Sequence, residues 1–118
     1  MAMSGVRLTV RIDFGADHAI GPGKIRLLEA IGKFGSISQA GRSLGMSYRR
    51  AWVLVDELNR CFSDPVVSAS PGGARGGGAT LTPFGRDVIT EYRRIESRAT
   101  LAAKSGMRHL QKSLRKPR

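Results

Sequence analysis

The sequence is poor in the features that most enzymes, secreted proteins and membrane proteins need. Its 118 residues include one cysteine, Cys61, so an internal disulfide and a cysteine cluster for zinc are both excluded. No apolar run approaches the ~20 residues that cross a bilayer, and the N-terminus has no apolar stretch of signal-peptide length. His18 and His109 have no partner at metal-ligand spacing, and the pattern assembles no catalytic set of side chains. We therefore expect a cytoplasmic protein that is not an enzyme and holds neither a metal nor a cofactor.

Acidic residues are also scarce. Nine Asp and Glu stand against 20 Lys and Arg, which gives a formal net charge of +11 and an isoelectric point near 11.3. This excess indicates a polyanionic partner, with nucleic acid first and an anionic membrane second. Part of the excess is local, because the chain after Ser97 has no acidic residue. We expect residues 105–118 to form a basic tail.

The hydrophobic period of the sequence changes along the chain. Residues 7–14, RLTVRIDF, alternate strictly between apolar and polar, which predicts a half-buried strand. The next segment, GADHAIGPG, is predicted to be a loop. The residues expected to face inward from the strand are Leu8, Val10, Ile12 and Phe14.

Three helices with apolar residues at helical spacing follow the loop. The first covers 24–34 and ends at Gly35, and Ser36 caps a short second helix. Gly45 supplies a left-handed turn, after which Ser47 caps the third helix. The residues expected to face the core are Leu27, Leu28, Ile31, Phe34, Ile37, Ala40, Leu44, Ala51, Val55, Leu58 and Phe62.

A β-hairpin and a last helix complete the predicted fold. Two β-prone segments, 66–70 and 79–82, flank the run GGARGGGA, which contains neither a P-loop nor a dinucleotide-binding glycine pattern. Thr82 and Pro83 begin the last helix, which carries Phe84, Val88, Tyr92, Ile95 and Ala99 at helical spacing.

We expect one domain over residues 1–104, mainly α with a small β wing. It is predicted to be a winged helix-turn-helix with an N-terminal strand, a helix-turn-helix at about 36–62, a wing at about 66–82 and a long C-terminal helix at about 83–104.

In a helix-turn-helix the first turn of the second helix of the motif points outward, and here that turn is SYRR. Arg49 and Arg50 are expected to reach guanine edges, Tyr48 a phosphate or a thymine methyl group, and the helix N-terminus at Ser47 a phosphate. Two arginines on a helix surface are also compatible with simple solvation. Other expected DNA contacts are Ser36 and Ser38 on the backbone, and Arg75 and Gly76 in the wing.

Three further residues of the third helix are not assigned to the DNA contact. Trp52 is predicted to pack against the first helix or the hairpin, with stacking on DNA as the alternative. Asp56 and Glu57 are expected to face aside, because carboxylates repel phosphates.

The last helix is expected to support a homodimer. Its apolar stripe is too wide for one chain to cover equally well, so a second copy is expected to bury part of it. The predicted dimer residues are Val88, Ile89, Tyr92 and Ile95.

Two motifs together resemble a known family. GSISQAGRSLGMSYRRAW at 35–52 and GGARGGGATLTPFG at 72–85 are similar to the N-terminal DNA-binding domain of ModE-type, molybdate-responsive transcriptional regulators, and at fold level to LysR-type winged helices. The resemblance implies operator binding as a dimer. Because molybdate-binding domains of the β-barrel type are absent from this sequence, we do not expect direct molybdate sensing.

We therefore expect a homodimeric transcriptional regulator that binds a two-fold-related site in double-stranded DNA. The alternatives are an architectural, nucleoid-type protein without sequence preference, and an adaptor that uses a winged helix to bind another protein.

Overall fold

The computed structural model describes residues 5–70 and 78–116. Within them, four helices and two separate antiparallel β-hairpins form the fold. The elements in chain order are β1 (Ile12–Phe14), β2 (His18–Ile20), α1 (Pro22–Phe34), α2 (Ile37–Ser43), α3 (Tyr48–Cys61), β3 (Val67–Ala69), β4 (Ala79–Leu81) and α4 (Pro83–Lys112). The predicted winged helix-turn-helix is confirmed.

The N-terminal segment has the predicted alternation but less strand than predicted. From Val6 to Asp13 the side chains alternate between half-buried and exposed, whereas ladder pairing is confined to β1 and β2, with Ile12 opposite Ile20. The predicted loop therefore contains a strand, which tertiary pairing stabilises in spite of its flanking glycines. Phe14 is exposed and meets the edge of Phe62 instead of facing the core.

The predicted helix ends are confirmed at each junction of the helix-turn-helix. Gly35 and Gly45 both adopt the left-handed backbone conformation, with φ of 67° and 72°. The hydroxyls of Ser36, Ser47 and Thr82 each accept a hydrogen bond from a backbone N–H in the first turn of the helix that follows.

One apolar core lies between the helices and the second hairpin. Its buried residues are Ile20, Ile25, Leu27, Leu28, Ala30, Ile31, Ile37, Ala40, Ala51, Leu54, Val55, Leu58, Val66, Val67, Ala79, Val88 and Tyr92. Phe34 and Leu44 were expected to be buried and are exposed. Phe34 and Leu44 lie at helix ends. Both continue the apolar spacing of their helices, but the neighbouring elements do not cover their side chains.

Close approach of α2 to α3 depends on Gly41. A Cβ atom at this position would lie 2.7 Å from the Cβ atom of Ala51, well inside van der Waals contact. The two small residues therefore allow the two helices of the motif to touch along their backbones. This contact sets how far the exposed side of α3 projects from the domain.

Helix α4 is longer than predicted, since it ends at Lys112 and not near 104. Its 30 residues correspond to a rod of about 45 Å. Two polar contacts hold the first half of α4 against the domain. The Tyr92 hydroxyl donates to the Val10 carbonyl at 2.6 Å, and Arg93 pairs with Glu29 of α1 at 2.7 Å. Burial raises the pKa of Tyr92 and favours the protonated donor, while the hydrogen bonds that Arg93 donates to Glu29 and Glu96 raise the pKa of Arg93.

Burial of Val88 and Tyr92 changes the predicted dimer surface. Val88 is 7% and Tyr92 1% exposed within a single chain, because both pack into its own core. These two residues are therefore not available to a second copy, and the prediction is corrected for them. Ile89 is half-buried against the core, and Ile95 is exposed.

Replacing Gly41 by alanine should destabilise the fold. Overpacking in a core costs about 1–3 kcal/mol, more than the ~1 kcal/mol that alanine gains over glycine within a helix. Gly23→Ala is the matched control, because a Cβ at Gly23 meets nothing within 4 Å. Urea denaturation followed by circular dichroism should give a lower unfolding free energy for Gly41→Ala and an equal or higher one for Gly23→Ala. Equal stabilities of the two variants would contradict the close approach.

Candidate nucleic-acid interface

The first turn of α3 is exposed, free of acidic residues and fixed by a cap. The Ser47 hydroxyl accepts from the Arg50 N–H at 3.1 Å and so anchors the start of the helix. Ser47, Tyr48, Arg49 and Arg50 are all exposed, and no acidic residue lies in this turn. The positive end of the helix dipole and the remaining free N–H groups therefore face solvent, where an anion is favoured.

The two arginines of this turn point in different directions. The buried residues Ala51, Leu54 and Leu58 define the inner side of α3, and at 3.6 residues per turn this places Arg49 near the centre of the outer side. Arg50 lies on one flank, where it borders a groove of about 520 Å³ together with Arg11.

Neither guanidinium group is paired with a carboxylate among the described residues. Both are thus available to an external acceptor. The structure brings Arg49 and Arg50 to the same exposed turn, as the sequence predicted, but not to the same side of the helix.

Helix α2 presents the predicted serines and one arginine that the sequence analysis missed. Ser36 and Ser38 are half-buried, and the Ser36 hydroxyl is already engaged with the Gln39 N–H at 3.1 Å. Arg42, in the last turn of α2, is exposed. Its position in the chain, three residues before the Gly45 turn, was the signal that could have identified it.

Trp52 is not part of the core, and this corrects the sequence-based prediction. Its side chain is 39% exposed, and its ring meets that of Tyr48 edge-on, with centroids 6.1 Å apart. Both residues lie on the flank of α3 opposite Arg50. The expectation failed because a large apolar side chain within a helix usually marks the buried side, whereas Ala51 and Val55 fill that side here.

The two carboxylates of α3 are both engaged. Glu57 pairs with Lys24 of α1 at 3.2 Å, and Asp56 pairs with Arg60 one turn further along at 3.1 Å. Glu57 thus lies aside, as predicted. Asp56 lies on the outer side, and its charge is offset by Arg60.

The second hairpin is anchored at its base. Val67 of β3 pairs with Leu81 of β4, and the Asn59 side chain accepts from the Val66 N–H at 2.8 Å. The Ala79 N–H donates to the Gly35 carbonyl at 2.9 Å, which ties the hairpin to the end of α1. The predicted wing is confirmed as a hairpin. Arg75 and Gly76 lie outside the described residues.

The second half of α4 continues the apolar face of its first half, and the N-terminal residues 5–9 line a groove along this part of the helix. Ala99, Ala103 and Leu110 continue the face on which Val88 and Tyr92 pack, and Leu110 is 67% exposed. None of the described helices is long and apolar enough to cross a membrane. The described residues also contain no group of three His, Cys, Asp or Glu placed to hold a metal ion.

The sequence of the chain is similar to molybdenum-related proteins. The molybdenum-pterin-binding protein MopB of Rhodobacter capsulatus is 49% identical over 78 residues, which are 66% of this chain and 29% of that protein. The molybdenum transport protein ModE of Azotobacter vinelandii is 38% identical over 96 residues, 80% of this chain and 36% of that protein. The DNA-binding transcriptional dual regulator ModE of Escherichia coli (strain K12) is 41% identical over 71 residues, 60% of this chain and 27% of that protein.

These matches confirm the resemblance to ModE that the motifs indicated. The chain matches only about a third of the length of these relatives. No protein-family model matches the chain.

A solved structure shares the fold. The crystal structure of the CbnR DNA-binding domain in complex with DNA superposes with a TM-score of 0.56 at 22% identity, covering 78% of this chain and 97% of that one. At this identity the likeness shows the winged-helix fold. The Escherichia coli relative is named as a DNA-binding regulator, which agrees with the expectation that the chain is not an enzyme.

Removing the cap of α3 should loosen the exposed turn without disturbing the core. Ser47→Ala should lower the unfolding free energy by about 0.5–2 kcal/mol, because one N–H of the first turn loses its acceptor. Ser47→Asp is the matched variant that retains an acceptor and should stay close to the parent protein. Thermal or urea denaturation measures both, and an unchanged stability of Ser47→Ala would contradict the role of the cap.

Proposed function

We propose that this chain is the DNA-binding unit of a ModE-type transcriptional regulator, and that it binds a two-fold-related operator as a homodimer. The observation that carries the proposal is the capped first turn of α3, which presents Arg49 at the centre of an exposed helix side that has no unpaired carboxylate among the described residues. The relatives named as regulators and the winged-helix fold support it.

In the proposed complex, α3 enters the major groove. The Arg49 guanidinium donates two parallel hydrogen bonds to guanine O6 and N7, a geometry that its planar fork matches. Arg50 reaches a base edge or a phosphate at the side of the groove. The N-terminus of α3 at Ser47 favours a phosphate oxygen through its free N–H groups.

Helix α2 then crosses the sugar-phosphate backbone. Ser38 and the exposed Arg42 are the proposed contacts there, with Ser36 contributing mainly as the cap of α2. These contacts fix the register of α3 on the duplex and carry no sequence information of their own.

The hairpin is proposed to act as a wing. The base of the hairpin is held by the Asn59 side chain and by the Gly35 carbonyl at the end of α1. Arg75 and Gly76 at the tip are proposed to contact the minor groove or its phosphates, where glycine allows close backbone approach.

The apolar face in the second half of α4 is the proposed dimer contact. It would pack against the same helix of a second copy through Ile95, Ala99, Ala103 and Leu110. These residues replace Val88 and Tyr92 in the predicted dimer surface. Two recognition helices related by a two-fold axis require a palindromic operator. A connection to molybdenum-related genes is proposed from the names of the relatives, and no molybdate site is assigned in this chain.

Binding should depend steeply on salt. If each protomer neutralises about four or five phosphates, the dimer makes about 8–10 such contacts, and affinity should fall by about 10³–10⁵-fold between 50 and 200 mM salt. Fluorescence anisotropy with a duplex that the full chain selects from a random library measures this slope. A shallow slope would contradict backbone binding by the basic surface.

Arg49→Ala should reduce both affinity and specificity. Loss of a bidentate guanine contact should cost about 1–3 kcal/mol on the selected duplex and much less on random DNA. Arg94→Ala is the matched control, since it removes the same charge from α4, where Arg94 is exposed and paired with Glu91. Competition binding with selected and random duplexes compares the two variants.

Equal losses of Arg49→Ala on both duplexes would assign Arg49 to the backbone. Equal affinity of the parent protein for both duplexes would favour an architectural protein over a regulator.

A further inference from the structure

Two exposed aromatic rings on α3 lie outside the core. One belongs to Tyr48, for which the sequence predicted a contact with a phosphate or a thymine methyl group, and the other belongs to Trp52. Tyr48 is 62% and Trp52 39% exposed, and they lie one turn apart on the same flank of the helix. Their rings meet edge-on at 64°, with centroids 6.1 Å apart. An exposed tryptophan is unusual in a folded domain, because its ring is among the largest apolar surfaces a protein can bury.

The pair forms a defined surface. An aromatic neighbour one turn away restricts both rings, which lowers the ordering cost of binding a partner there. We call Tyr48 and Trp52 the aromatic pair.

The aromatic pair lies beside Arg49, a cation that is unpaired among the described residues, and the nearby Asp56 is paired with Arg60. Arg49 is adjacent to Tyr48 on the exposed first turn, and the pair follows directly on the positive end of the α3 dipole. A protein partner would have to cover an apolar patch next to a strongly basic surface. A DNA major groove offers the complementary combination, with phosphates at its walls and apolar groups at its floor.

The apolar group that the major groove displays is the C5-methyl group of thymine. We propose that the aromatic pair is a thymine-reading surface, in which the Trp52 ring, supported by Tyr48, packs on a thymine methyl group beside the guanine contacted by Arg49. This inference rests on the proposed function and adds a specificity-determining residue, Trp52, to it. The operator half-site would then combine a guanine with at least one neighbouring thymine.

Deoxyuridine tests the inference, because it pairs like thymine and lacks only the methyl group. In the selected duplex, each thymine of one half-site is replaced singly by deoxyuridine, and affinity is measured by anisotropy. The parent chain should bind about fourfold more weakly for each methyl group it contacts. Trp52→Ala should bind thymine and deoxyuridine duplexes equally at those positions, whereas Trp52→Phe should retain part of the preference.

Arg49→Ala is the control variant. It should lose affinity for the selected duplex yet keep the preference for thymine over deoxyuridine, because the aromatic pair is intact. Since Trp52 is the one tryptophan of the chain, its fluorescence reports on this site alone, and its emission should change more with the thymine duplex than with the deoxyuridine duplex. Circular dichroism of Trp52→Ala tests whether the variant is folded, and sedimentation tests whether it keeps the oligomeric state of the parent chain.

Each contrary outcome has a distinct meaning. If the parent chain binds thymine and deoxyuridine duplexes equally at every position, or if Trp52→Ala retains the preference, the inference is wrong while the proposed function stands. If Trp52→Ala dissociates an oligomer and leaves the preference intact, the aromatic pair is a protein interface and the inference is wrong. If the parent chain prefers no duplex over random DNA, the proposed function fails and the inference with it.

Discussion

The contact between Gly41 and Ala51 is the constraint on which the rest of this structure depends. Two backbones can approach this closely only where neither side chain extends beyond a Cβ atom, and the left-handed turn at Gly45 then directs the chain into α3. The inner side of α3 is filled by Ala51, Leu54 and Val55. Its first turn is consequently turned outward, and Tyr48, Arg49 and Arg50 on that turn are exposed.

The local features of the fold followed from the sequence. Ser36, Ser47 and Thr82 were identified as caps because a hydroxyl bound to a nearby N–H depends on only a few residues of chain. Gly35 and Gly45 were identified for the same reason, since a positive φ is a local requirement. The hairpin and the outward turn of α3 could be predicted from these signals combined.

Features that depend on distant neighbours could not be predicted in this way. Trp52 was expected inside because size and hydrophobicity favour burial, but Ala51 and Val55 occupy the inner side and leave no room for an indole ring. Val88 and Tyr92 were assigned to a partner chain, whereas the N-terminal segment and α1 cover them. Helix α4 continues past Gly106 because one glycine costs about 1 kcal/mol, which the helix-forming residues around it offset.

A crystal structure of the chain on its selected duplex tests the central claim most directly. The account predicts α3 in the major groove, with the Arg49 guanidinium within about 3.2 Å of guanine O6 or N7 and the two protomers related by the symmetry axis of the site. A complex in which another face of the domain meets the DNA, with Arg49 in solvent, would contradict it.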